Sequence, residues 1–138
     1  TLEHFARMSR VFASLAPYRA ELMAEAAEKG TPVVRHPLLH FPEDAAVWEL
    51  SQQFMLGSEL MVAPVVEEGA VEVSLYLPAG RWVHVWSGEV FGDPEKGITM
   101  AIPAPMGEPA VFYREGSPMG DAWVVELVAQ GLLDTSHP

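Results

Sequence analysis

Two histidines and an acidic pair in the first third of the chain are the residues best suited to chemistry. His36 and His40 are four residues apart, which on a strand places both side chains on one face. A metal site would need a third ligand and a firm geometry; nothing in the sequence supplies them, so we predict no metal. Glu43 and Asp44 precede a predicted helix, where carboxylates favour the positive end of the helix dipole. We therefore expect this pair to cap the helix and to take no part in catalysis.

The composition limits the classes of partner. The 138 residues carry a formal net charge of -11, which disfavours nucleic acid and anionic membrane surfaces because both attract a surplus of Lys and Arg. The absence of cysteine excludes a disulfide framework and a thiolate metal site, and it is compatible with a cytoplasmic location. No apolar run reaches the roughly 18 residues that a membrane span needs. Because the chain opens at Thr1 directly in a helical pattern, we expect a piece of a longer protein.

The first 57 residues show a helix–strand–helix pattern. Apolar residues at three- and four-residue spacing predict a helix over residues 1–30, which Pro17 kinks or divides. The short apolar run at 32–41 is typical of a strand buried on both faces. A second helix is predicted over 44–56 and ends at Gly57. The apolar stripe of the first helix comprises Leu2, Phe5, Met8, Phe12 and Leu15.

After Gly57 the apolar period changes from 3.6 to 2, which predicts strands in place of helices. The predicted strands cover residues 71–77, 82–86, 98–102 and 110–113. Short strands at this spacing, separated by turn residues, indicate an antiparallel sandwich. A closing helix is predicted over 121–133.

Eight short segments, in order along the chain, carry a family resemblance. They are HFARM at 4–8, APY at 16–18, PVVR at 32–35, LLHF at 38–41, QFMLG at 53–57, LMVAPV at 60–65, LYLP at 75–78 and PAVFYR at 109–114. Together they resemble the C-terminal part of glycoside hydrolase family 31, the retaining α-glycosidases. The segment WVHVWSGE at 82–89 is similar to the bacterial branch of sulfoquinovosidases and α-glucosidases. One departure is His36 after Arg35, where the family usually has proline.

The resemblance implies both a fold and an activity. The implied fold is an α+β fragment: residues 1–57 form the last helix–strand–helix of a (β/α)8 barrel, and residues 58–138 form the proximal C-terminal β-sandwich with a closing helix. The implied activity is retaining hydrolysis of a terminal α-glucoside or α-sulfoquinovoside, which needs two carboxyl groups about 5–5.5 Å apart and no cofactor. The family carries these aspartates on motifs around earlier barrel strands, and neither motif occurs here. We therefore expect no catalytic residue in this chain, catalytic aspartates upstream of it, and no activity from the chain alone.

His40 is the one candidate for contact with the glycoside substrate. The resemblance places it near the C-terminal end of the last barrel strand, the end at which barrel active sites are built. There it would line the edge of the sugar pocket or support the pocket from behind. The alternative is a structural histidine held by hydrogen bonds.

Two other classes of function stay open. Trp82 and Trp86 fall on one face of a predicted strand and could stack on sugars in a non-catalytic carbohydrate-binding module, or be buried in a structural β-sandwich. The chain could also be an interaction protein, because the stripes on helices 1–30 and 44–56 need neighbours, and uncovered apolar patches drive association. The expected partners are then the missing barrel portion or a second copy of the fragment.

Overall fold

A computed structural model of the chain describes residues 1–134 as a three-layer α+β fold. The helices are α1 (Leu2–Ser14), α2 (Ala16–Lys29) and α3 (Pro118–Ala129). The strands are β1 (Val34–Arg35), β2 (Phe54–Leu56), β3 (Leu60–Ala63), β4 (Glu72–Leu77), β5 (Trp82–His84), β6 (Val90–Phe91), β7 (Ile98–Pro103) and β8 (Ala110–Arg114). Two single turns of 3-10 helix cover Pro37–Leu39 and Ala45–Val47. None of the helices among these residues has the length and apolar character needed to cross a membrane.

The strands form two sheets in which every pairing is antiparallel. The larger sheet has six strands in the order β1-β2-β3-β8-β5-β6, and the smaller sheet pairs β4 with β7. The predicted antiparallel strands over 71–77, 98–102 and 110–113 are confirmed, with shifts of one residue at their ends. The sandwich is asymmetric, because one sheet is three times as wide as the other.

Strand β8 separates two hydrophobic cores. Val111 and Tyr113 face a core that includes buried residues of all three helices. Ala110 and Phe112 face a second core, between the two sheets. Because side chains alternate across a strand, β8 has to be apolar on both faces, and its first four residues are all buried. The six-stranded sheet is thus the middle layer, with helices on one face and the β4–β7 pair on the other.

The helical hairpin at the start of the chain follows the sequence signals. The predicted helix is divided at Leu15, and Pro17 occupies the first turn of α2, where its missing N–H costs nothing. Gly30 ends α2 in the left-handed conformation with φ 74°. The closing helix α3 begins three residues earlier than predicted, because the Ser117 side chain accepts a hydrogen bond from the Gly120 N–H and caps it. It also ends four residues earlier than predicted, at Ala129.

The predicted strand over 32–41 and the predicted helix over 44–56 are wrong in extent and in type. Only Val34–Arg35 is strand, since Pro37 starts a 3-10 turn immediately afterwards. Asp44 does cap a turn, but that turn ends at Val47. Residues 54–56 then form β2, in which Met55 is fully buried between two half-buried neighbours. Burial therefore alternates along this stretch, and pairing with β3 prevails over the local helical pattern.

The larger sheet runs across Gly57. β1 and β2 precede this glycine, and β3 follows it. β1 pairs with β2, and β2 pairs with β3. The assignment of residues 1–57 to a barrel end and of 58–138 to a sandwich remains a prediction about the whole protein. The last four residues of the predicted sandwich segment, 135–138, lie outside the described part of the chain.

The edge of β4 is closed by a side chain. The Gln53 amide nitrogen donates to the Tyr76 carbonyl at 2.7 Å, and the Tyr76 N–H donates to the Gln53 amide oxygen at 2.8 Å. This pair of bonds imitates one residue of a neighbouring strand. It satisfies two backbone groups that a buried position cannot leave unpaired, and it fixes the irregular 36–53 segment against the smaller sheet.

Two glycines with similar backbone angles test how tightly the middle layer meets α2. A Cβ on Gly57 (φ 60°) would collide with the Tyr18 ring and with Leu22, whereas one on Gly30 (φ 74°) would meet nothing. We expect Gly30→Ala to lower the free energy of unfolding by about 1 kcal/mol through backbone strain alone. Gly57→Ala should cost about 3 kcal/mol or more, because overpacking adds to that strain. Urea unfolding of both variants measures the difference, and equal losses would contradict the packing described here.

Candidate functional site

Arg35 is the buried charge around which the candidate site is built. It ends β1 with only 3% of its surface exposed. Its Nε donates to the Pro32 carbonyl at 2.6 Å, and one terminal nitrogen forms an ion pair with Glu25 of α2, also at 2.6 Å. The other terminal nitrogen lies 3.2 Å from His40 Nε2. We call Glu25, Arg35 and His40 the Arg35 cluster.

The pKa values within the Arg35 cluster move in the directions that these contacts require. The pKa of His40 lies below its usual value, first because of burial and then because of the positive charges of Arg35 and Arg114. The pKa of Glu25 is also lowered, chiefly by its hydrogen bond from Arg35. The guanidinium thus favours the charged form of the carboxylate, while burial and the two positive charges favour the neutral form of the imidazole.

Arg114 extends the cluster towards the core between the sheets. Its guanidinium carbon lies 5.0 Å from the Phe41 ring centre and 5.4 Å from that of Trp82, within the range of cation–π attraction. Its Nε donates to the Ser58 carbonyl at 2.9 Å. The two aromatic rings are themselves 6.1 Å apart. Arg114 therefore joins the end of β8 to the loop that carries His40.

A cleft of about 540 Å³ opens beside His40. Residues 40–45 form one wall, and Tyr76, Ala79 and residues 95–97 form the other. The Tyr76 hydroxyl donates to Asp44 at 2.6 Å, and burial together with this hydrogen bond raises the pKa of Tyr76 to about 12. The cleft is thus lined by polar groups, and two of them, the Tyr76 hydroxyl and the Asp44 carboxylate, are bonded to each other.

Some of the residues singled out from the sequence have structural roles, and others line the cleft. Asp44 caps its turn as expected, since its side chain accepts from the Ala46 N–H at 3.0 Å, and Glu43 is exposed at the cleft. His36 does not share a strand face with His40, because it caps the next turn and contacts the Leu50 carbonyl. Residues 1–134 contain no group of three side chains that could hold a metal ion.

The two tryptophans do not form a sugar-stacking platform. Trp82 is 1% exposed and lies in the core between the sheets. Trp86 follows the end of β5 and packs on the helix side, with its N–H donating to the Pro109 carbonyl and the Arg7 guanidinium over its ring. The expectation that both lie on one strand face is wrong, because β5 ends at His84 and a turn follows.

The arrangement around Arg35 was missed by sequence reasoning, although one signal for it existed. A lone arginine inside the apolar run at 32–41 must find an acceptor when it is buried. Its partner in the ion pair is Glu25, a half-buried residue ten positions earlier in the predicted helix, and the spacing alone does not identify it.

Comparison with known proteins places the chain among glycosidases. The C-terminal domain profile of glycosyl hydrolase family 31 matches residues 30–118. The sulfoquinovosidase of Escherichia coli (strain K12) is 46% identical over 117 residues, covering 85% of this chain and 17% of that protein. The sulfoquinovosidase of Agrobacterium fabrum is 43% identical over the same length, with 84% and 17% coverage.

A solved structure agrees with these relatives. The family 31 sulfoquinovosidase from E. rectale, in complex with an aza-sugar inhibitor, matches with a TM-score of 0.84 and 33% identity over 93% of this chain and 18% of that chain. The chain therefore spans only about a sixth of its relatives' length. Because the family profile covers well over half of the chain and the two relatives are 43–46% identical to it, the chain belongs to glycoside hydrolase family 31.

Proposed function

We propose that the chain is the C-terminal part of a retaining α-glycosidase that hydrolyses terminal α-sulfoquinovosides or α-glucosides. The observation that carries this proposal is the 46% identity over 117 residues to a sulfoquinovosidase. The α-glucosidase of barley (Hordeum vulgare) is 36% identical over 103 residues, and we therefore include α-glucosides as proposed substrates. The substrate would be bound mostly by residues of the longer protein, as the chain corresponds to 17% of the sulfoquinovosidase length.

The proposed role of the chain is to complete and support the barrel. The α1–α2 hairpin would belong to the last part of the (β/α)8 barrel. β1, the edge strand of the larger sheet, would join the barrel to that sheet, and the other strands would brace the barrel from outside. The two carboxylates that retaining hydrolysis needs would come from sequence upstream of Thr1. A cytoplasmic location in a bacterium, without cofactor, nucleic acid or membrane partner, completes the proposal.

His40 is proposed to lie at the edge of the substrate pocket or directly behind it. Two observations support this placement: the imidazole is half-buried beside an open cleft, and the buried Arg35 holds it in one orientation. A side chain fixed in this way suits a site that must be preorganised. The alternative of a purely structural histidine is tested by substituting His40 in an active enzyme.

The exposed face of α1 is proposed to contact the rest of the barrel. Three large apolar residues of the predicted stripe are largely exposed: Leu2 (83%), Phe5 (69%) and Phe12 (61%). The buried residue of α1 is instead Val11, on the opposite side. An amphipathic helix with an uncovered apolar face needs a partner, and the longer relatives provide more than enough chain to cover it.

We expect the 138-residue chain to be inactive alone but functional within a homologous enzyme. The test replaces the matching 117-residue segment of the E. coli sulfoquinovosidase by this chain and measures hydrolysis of nitrophenyl α-sulfoquinovoside. Because misplacement by about 1 Å can cost about a hundredfold in rate, we expect kcat/KM of the chimera to stay within about a hundredfold of the parent enzyme.

The E. coli enzyme truncated before the segment is the control, and it should be inactive. A chimera that folds and elutes like the parent enzyme but hydrolyses neither the sulfoquinovoside nor the α-glucoside would contradict the proposed function. Hydrolysis by the isolated chain would contradict the upstream location of the carboxylates.

We also expect the isolated chain to associate through the exposed face of α1. The double substitution Phe5→Glu and Phe12→Glu places charges on that face and should shift the species seen by light scattering towards the monomer. Val125→Glu removes one apolar residue of similar exposure, 69%, from α3 and should leave association unchanged. A wild-type chain that is monomeric at high concentration would contradict the proposed barrel contact.

A further inference from the structure

The contact between Arg35 and His40 determines more than the position of a side chain. A guanidinium carries hydrogen-bond donors and no acceptor, and it stays protonated in proteins. The 3.2 Å contact between its terminal nitrogen and His40 Nε2 is therefore a hydrogen bond only if Nε2 accepts. A ring nitrogen that accepts carries no proton, so the single proton of a neutral imidazole must be on Nδ1.

We propose that Arg35 is a positioning residue that holds His40 as the neutral imidazole with its proton on Nδ1. His40 then offers the neighbouring cleft one N–H donor and no positive charge. Among residues 1–134, Nδ1 has no hydrogen-bond partner, so it is the atom left to meet a ligand. This assignment of the His40 tautomer uses residues of this chain alone and does not depend on the proposed glycosidase function.

Arg35 is able to impose this state because its own position is fixed. Its side chain is almost fully buried, and two of its other donors are bonded to the Pro32 carbonyl and to Glu25, each at 2.6 Å. Turning away from His40 would break these bonds inside the protein, which costs more than breaking them in water. The Arg35 cluster therefore works as a rigid donor aimed at one ring nitrogen.

The charges around His40 favour the same neutral state. Arg35 of β1 and Arg114 of β8 disfavour a positive imidazole, and burial acts in the same direction. Glu25 of α2 and Glu59 of the β2–β3 turn act in the opposite direction, but they follow the two arginines in size. An upward change in the pKa of His40 is thus expected when Arg35 loses its charge.

His36 provides a built-in comparison four residues away. Its Nδ1 accepts from the Leu38 N–H at 3.1 Å, and its Nε2 lies 2.8 Å from the Leu50 carbonyl, which can only accept. These two contacts require the proton on Nε2, the reverse of His40. The contacts of His36 and His40 therefore require opposite tautomers in one chain.

The experiment is nitrogen-15 NMR of the histidine-labelled chain near neutral pH, in solution or as a hydrated sediment if the chain associates. Protonated and unprotonated ring nitrogens have distinct chemical shifts. Signals are assigned by loss in His36→Asn and His40→Asn. We expect His40 to show a protonated Nδ1 and a bare Nε2, and His36 to show the reverse.

Two variants of Arg35 separate its role from general packing. Arg35→Met keeps much of the apolar volume but removes donor and charge, and should give a mixture of His40 tautomers and a higher His40 pKa. Arg35→Lys keeps a charged donor and should retain the Nδ1–H form. The wild-type spectrum decides the tautomer even if Arg35→Met does not fold.

A His40 ring protonated on Nε2, or on both nitrogens at neutral pH, would overturn the proposal. So would a folded Arg35→Met variant in which the tautomer and pKa of His40 are unchanged. A failure of the glycosidase proposal would leave these results unaffected, because no substrate or activity enters the measurement.

Discussion

The structure depends on strands that must be buried on both faces. Strands β3 and β8 are paired over four residues, and their side chains alternate between the helix-side core and the core between the sheets. The size of each side chain on β3 and β8 is therefore limited by the core that it faces. A slip of one residue would exchange Phe112 with Val111 and would mismatch both cores at once. The helices and the smaller sheet are held in place through this shared middle layer.

The irregular segment between β1 and β2 is held in place by side-chain contacts and not by the backbone hydrogen bonds of a β-sheet. Gln53 completes the edge of β4, Tyr76 bonds to Asp44, and Arg114 stacks on Phe41. These contacts put the loop at residues 40–45 against the smaller sheet and leave the cleft beside it. The same arrangement explains why a buried Arg35 can act on His40: both ends of the loop are anchored.

The sequence predicted the strands and helix ends that follow from local patterns, and it missed the features that follow from contacts between distant residues. Alternation identified β4 and β7, Pro17 marked the division of the first predicted helix, and Gly30 marked its end, because these signals are local. The stretch over 44–56 was mispredicted as helix because its strand character comes from pairing with β3 and from the Gln53 amide. The Arg35 cluster likewise joins residues from α2, β1 and the following loop, and no spacing encodes that meeting.

The resemblance to a glycosidase family explains a further difference between expectation and structure. Three of the five residues of the predicted stripe of α1, Leu2, Phe5 and Phe12, are exposed, whereas Leu15 packs against the helix-side core. The three exposed side chains are what supports the proposed contact with the rest of the barrel. His40 could be singled out from the sequence, whereas its protonation could not, because that depends on which donor meets which ring nitrogen. Family membership thus accounts for the fold, and the contacts of Arg35 account for the geometry around His40.

We expect β8 to join the helix layer and the two sheets into one cooperative unit. Native-state hydrogen exchange followed residue by residue tests it most directly, since cooperative units open together. We predict that the amides of β3 and β8 exchange slowest and that those of α2 around Tyr18 and Leu22 open with the same free energy. Exchange of β8 as fast as that of the β4–β7 pair, or an α2 that opens independently of β8, would contradict the account.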